Sequence, residues 1–178
     1  MHAKVHYFGN PLHAAMIALP AGMYVGTLVF DLFYLFDSDP VWFRIAQYML
    51  MLGIVGALAA AIPGAIDYLF IPAQWRAKTW AMTHALLNLG GTALAIVSAV
   101  IRWGPVPDSG SGEMWAARLL AWAGIAIAMG AASIGGHLVY KLNIGDANAP
   151  HSDTASLTPA RTAGEDPRGH DVGAGQPR

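Results

Sequence analysis

Residues 77–101 read AKTWAMTHALLNLGGTALAIVSAVI, and this stretch decides the fold. Beyond Lys78 at its mouth it holds no acid, lysine or arginine. Thr79, Thr83, Asn88, Thr92 and Ser98 are its small polar members, and His84 lies near its start. A helix of this length, rising about 1.5 Å per residue, crosses the roughly 30 Å hydrocarbon core of a bilayer. An ionisable group there is costly against lipid, so His84 is expected to face a bundle interior or a cavity.

Three further apolar runs surround it, at residues 12–36, 42–71 and 114–141. In the first, Pro20 is expected to kink the helix, and Gly22 and Gly26 offer a small-residue face for close helix contact. The second carries MLMLGIVGALAAAIPGAI at 49–66, whose Gly53, Gly56 and Ala60 suit tight packing and whose Pro63 loosens the last turns. Asp37–Pro40 and WGPVPDSGSG at 103–112 read as turns. The expected fold is all-α: a four-helix transmembrane bundle over residues 1–145, then a disordered polar tail over 146–178. The apolar runs are too long, and alternate too little, for a β-barrel. No internal repeat is evident at this level.

Composition agrees. The chain is 55% hydrophobic and 12% charged, where soluble domains carry about 25% charged residues. A net charge of −1 gives no basis for a nucleic-acid partner. With no cysteine, disulfides, thiolate catalysis and cysteine-ligated iron–sulfur clusters or haem are excluded. The start reads as a first membrane helix rather than a cleaved leader. Four spans place both termini on one face, with Lys4, Arg76, Lys78 and Lys141; Arg44, Arg102 and Arg118 fall on the other. The bias favours termini in the cytoplasm, in a bacterial inner membrane. The lipid bilayer is the expected surrounding, with a homodimer as the expected association.

That topology brings His13, Asp67, His84 and His137, one from each helix, towards the same membrane face. Neutral imidazoles ligate iron, and a haem b held by histidines from two helices suits a four-helix bundle. On this reading His13 and His84 are the metal ligands and Asp67 orients an imidazole. His137 is an alternate ligand, and Gly91, on the His84 face, admits a flat macrocycle. The function implied is a membrane redox protein with a redox partner protein. Two other classes stay open. One is a cofactor-free structural or interaction protein, in which the histidines only bond across helices. The other is a small proton-coupled transporter using Asp31 and Asp67, which the lack of a repeat disfavours. Asp31 either pairs with Arg102 or Arg118 or lines a small cavity. No nucleotide loop, zincin motif or nucleophile elbow is present, so no enzyme class is assigned.

NPLHAAMIALPAGMYVGTLVFDL at 10–32, AAAIPGAIDYLFIP at 59–72 and GGHLVY at 135–140 together resemble the DUF2231 family of bacterial membrane proteins. His13 matches the second histidine of the family's opening motif, and Asn10 stands where that motif has its first. Asp67 and His84 match an aspartate and a third-helix histidine of the pattern. His137 falls at a variable position of the closing signature. The resemblance covers roughly residues 10–145. Some similar chains are joined to a Rieske-type iron–sulfur domain, and the resemblance thereby implies an electron-transfer setting.

Overall fold

The computed structural model describes residues 4–8 and 10–144; the tail expected to be disordered lies outside the described residues. A two-residue ladder, β1 (His6–Tyr7) against β2 (Asn10–Pro11), precedes the helices α1 (Leu12–Met16), α2 (Ala18–Asp37), α3 (Pro40–Leu69), α4 (Arg76–Ile101) and α5 (Gly112–Tyr140). The chain forms an all-α bundle with four helical spans long and apolar enough to cross a membrane: Leu12–Asp37, Pro40–Leu69, Arg76–Ile101 and Gly112–Tyr140.

The first span is broken where its sequence requires it. Pro20 has no N–H for the carbonyl of Met16, and its ring crowds that carbonyl. The helix is accordingly interrupted at Ile17, which bonds back to the His13 carbonyl at 3.2 Å. At the other end, Asp39 caps α3 by accepting from the Val41 N–H at 2.9 Å, with Pro40 in the first turn. Ser111 caps α5 by accepting from the Met114 N–H at 3.1 Å. At the C-terminus of α3, Lys78 donates its ammonium to the Tyr68 carbonyl at 2.6 Å, a cation at the negative end of the helix dipole.

Packing pairs α2 with α3 and α4 with α5, forming two helical hairpins. The hairpins follow one register, offset by 71 residues. The buried set Phe43, Ala46, Gln47, Leu50, Gly53, Ile54 and Ala60 of α3 reappears in α5 as Met114, Ala117, Arg118, Ala121, Gly124, Ile125 and Ala131. Thr27 and Asp31 of α2 answer to Ser98 of α4 and Arg102 at its end, all four buried. The central core is built of three such pairs: Tyr24 with Ala95, Leu50 with Ala121, and Ile54 with Ile125. Residues 71 apart also touch one another, Asp31 against Arg102 and Ser38 against Ser109. His13 against His84 is a third such contact, since 84 − 13 = 71. Contact between a residue and its own counterpart is the mark of a two-fold axis. Both α2 and α4 start from the face that carries the termini, so this pseudo-axis runs along the membrane normal.

Two glycine expectations are corrected. Among the described residues a Cβ on Gly22 would meet nothing within 4 Å, whereas Gly26 lies against Met49, so the close-contact face inside the chain is narrowed to Gly26. Gly91 does not open a slot for a macrocycle: a Cβ there would lie 2.6 Å from the Gly124 carbonyl oxygen. The close approach of α4 to α5 uses that space.

Candidate functional site on the pseudo-two-fold axis

His13, in α1, hydrogen-bonds through Nδ1 to the Ala60 carbonyl of α3 at 2.7 Å. His84, in α4, does the same to the Ala131 carbonyl of α5 at 2.8 Å. A carbonyl only accepts, so both rings carry their proton on Nδ1 and leave Nε2 as the nitrogen with a lone pair. Each ring fits against a glycine one turn beyond its carbonyl. A Cβ on Gly64 would lie 2.8 Å from His13 Nδ1, and one on Gly135 2.9 Å from His84 Cε1. The two half-buried rings lie 6.2 Å apart between centres and stand at 89° to one another.

Asn88, one turn along α4, donates its amide to the His84 carbonyl at 2.9 Å. The same amide lies 3.5 Å from Nδ1 and 3.3 Å from Nε2 of His84. Near-equal distances to both nitrogens place it against the ring rather than along one lone pair. It steadies the imidazole from the side.

Asp67 and His137 occupy a different level. Asp67 lies seven residues beyond Ala60 in α3, and His137 six residues beyond Ala131 in α5. Each is therefore about 10 Å nearer the terminal face than the histidine pair, at 1.5 Å per residue. The Asp67 carboxylate accepts the backbone N–H groups of Lys4 at 2.6 Å and Val5 at 3.4 Å, which fastens the N-terminal segment to α3. His137 is exposed and packs on Trp80, 5.2 Å between ring centres, so it departs from the expectation that all four groups face inward. Its place in the last turn of α5 puts it at the headgroup level, where exposure costs little. Among the described residues, no cluster of three or more His, Asp or Glu side chains is placed to hold a metal ion.

A second polar centre lies towards the other end of the axis. Asp31 pairs with Arg102 through two parallel bonds of 2.6 and 2.7 Å, both side chains fully buried. Trp122 donates to the same carboxylate at 3.2 Å, and Arg102 Nε donates to Ser98 at 3.1 Å. Asp31 thus pairs with Arg102, one of the two arginines expected for it. Arg118, which sequence reasoning offered only as the alternative partner, is also completely buried here. Its counterpart 71 residues earlier, Gln47, is buried too, a relation that only the folded chain reveals.

The family model described as "Predicted membrane protein (DUF2231)" matches residues 9–148. The chain belongs to the DUF2231 family. It is a membrane protein, and its four apolar spans face the lipid bilayer. No curated protein and no solved structure matches it.

Proposed function

We propose that this DUF2231 protein is a membrane redox protein in which His13 and His84 ligate one metal centre on the pseudo-axis, a haem b. The observation that carries this reading is the paired geometry of the two imidazoles. Each has Nδ1 tied to a carbonyl, the arrangement that orients a ligating histidine and leaves Nε2 for the metal. The two rings lie 6.2 Å apart between centres and at 89° to one another, near enough that one metal centre would be held by both His13 and His84.

The donor set favours haem over a bare ion. An ion held by protein alone wants three or four protein ligands, whereas a porphyrin fills four positions itself and asks for one or two. Haem would supply a one-electron iron couple. Asp67, read as orienting an imidazole, and His137, read as an alternate ligand, lie about 10 Å nearer the terminal face than the pair; this reading expects a redox partner protein there. Of the three arginines assigned to the opposite face, Arg102 and Arg118 are buried in the bundle. The exposed basic residues therefore gather with the termini, which supports a cytoplasmic location for both termini in a bacterial inner membrane. The exposed small-residue surface at Gly22 supports a homodimer.

The test is a visible spectrum of protein purified from haem-replete cells, before and after dithionite. A Soret band that shifts and sharpens on reduction is expected, and it should be lost in both His13→Ala and His84→Ala. Colourless wild-type protein, or a band unaffected by either substitution, would overturn haem ligation. It would leave the cofactor-free reading, in which the same two bonds only tie α1 to α3 and α4 to α5.

A further inference from the structure

We propose that Arg118 holds a small monovalent anion, a halide or a short carboxylate, beneath the loop joining α4 and α5. The side chain is 0% exposed. Its Nη1 donates to the Ser109 carbonyl at 2.5 Å, while Nε and Nη2 are buried with no hydrogen-bond partner. These two nitrogens form one edge of the guanidinium, the fork that grips an anion bidentately. The rings of Trp115 and Tyr34 lie 5.2 and 5.6 Å from the guanidinium carbon. They stabilise the cation and offer that free edge no acceptor.

The neighbouring acid is already committed. Asp31 has one oxygen bonded to Arg102 Nη1 and the other to Arg102 Nη2 and Trp122. Asp31, Arg102 and Arg118 together leave one buried positive charge unbalanced. Asp108, in the same loop, is exposed, and among the described residues the ion pair within 4.0 Å is that of Arg102 with Asp31. A buried cation without a counter-charge is strongly unfavourable.

The other hairpin shows that the fold does not demand this charge. The counterpart of Arg118 is Gln47, neutral and bonded at both ends: Nε2 donates to the Arg102 carbonyl at 3.0 Å and Oε1 accepts from Arg44 at 3.0 Å. A neutral amide fills the position in one half. In the other stands a guanidinium with its anion-binding edge unsatisfied. An anion from the aqueous side, admitted past the loop, would bond to both nitrogens and cancel the charge.

Thermal unfolding of the purified full chain in neutral detergent tests this, with chloride, formate or bulky gluconate at constant ionic strength. Chloride and formate are expected to raise the midpoint saturably by a few degrees over gluconate, and Arg118→Gln is expected to abolish the rise. Arg118→Lys keeps the charge but loses the fork, so it should need several-fold more anion, and it serves as the test if Arg118→Gln does not fold. A flat wild-type response overturns the proposal, as does an undiminished response in either variant. Stabilisation in gluconate by an added anionic phospholipid, lost in Arg118→Gln, would assign the edge to a lipid phosphate and overturn the soluble anion.

Discussion

In the first hairpin His13 reaches the Ala60 carbonyl beside Gly64; in the second His84 reaches the Ala131 carbonyl beside Gly135. Ring, acceptor and glycine are the same in both halves. At the other end of the axis the halves diverge: Asp31 in the first stands opposite Arg102 in the second. Near a two-fold axis a residue meets its own copy. Two aspartates or two arginines buried there would repel, so a charged contact on the axis requires the halves to differ. Two neutral imidazoles carry no such penalty. The axis therefore separates a centre where identity is useful from one where identity is forbidden.

The largest expected effect comes from breaking the charged contact. Asp31→Asn leaves Arg102 buried without its counter-charge, and Arg102→Met leaves Asp31 alone with Trp122. Each should lose about 3–5 kcal/mol, the usual result of removing one partner of a buried pair. The double variant Asp31→Leu/Arg102→Met should recover most of that, because apolar replacement of a buried pair is often close to neutral. The exchange Asp31→Arg/Arg102→Asp sharpens the comparison. If the contact lies on the axis, the swapped pair should be more stable than either single variant. Thermal unfolding in detergent measures all four, and single variants as stable as wild type would refute the pairing.

The helix contacts come next. Gly124 and its counterpart Gly53 both admit a neighbour, but of different kinds. Gly53 admits the Tyr24 ring, 2.6 Å from a would-be Cβ, whereas Gly124 admits the Gly91 backbone oxygen at 2.5 Å. A ring can turn and a backbone cannot. Gly124→Ala should therefore cost more than Gly53→Ala, within about 1–3 kcal/mol for overpacking. Equal losses would mean that the two hairpins yield equally. Gly64→Ala and Gly135→Ala, by contrast, should match each other, since each presses on an imidazole from the same direction. If the haem reading holds, both should disturb the Soret band to a similar degree.

The spans were legible because four apolar runs of membrane length leave few alternatives, and the helix ends fell within a few residues of the runs. Topology brought His13 and His84 towards one membrane face, but it grouped Asp67 and His137 with them. Depth was not legible. Asp67 and His137 lie within two or three turns of the histidine pair, and counting from a helix end cannot separate such levels. The repeat was hidden for another reason. At 71 residues His, Ala, Gly and Ile recur at 13/84, 60/131, 64/135 and 54/125, but Asp faces Arg, Gln faces Arg and Phe faces Met. Only burial aligns those positions, and burial is a property of the folded chain. In the sequence the lack of an evident repeat disfavours a transporter; the parallel repeat removes that objection without supplying a substrate path.

The smallest expected effect concerns the place where the halves differ at the terminal face. Asp67 carries a carboxylate, and its counterpart 71 residues later is Leu138, buried against Ile71, Ala77 and Leu142. The second half closes this end with apolar contacts; the first closes it by binding Lys4 and Val5 to Asp67. The Leu12 N–H in turn donates to the Val5 carbonyl at 2.9 Å, so the latch holds the chain leading into α1. These bonds are water-accessible in part, and Asp67→Ala should cost only about 1 kcal/mol. Its effect should be local: amide exchange of residues 4–8 and of Leu12 should accelerate while that of α4 and α5 stays unchanged. His13 should keep its place, because Ala60 and Gly64 hold its ring independently of the latch. Faster exchange in both hairpins would show instead that Asp67 supports the whole bundle, and the asymmetry at this face would lose its meaning.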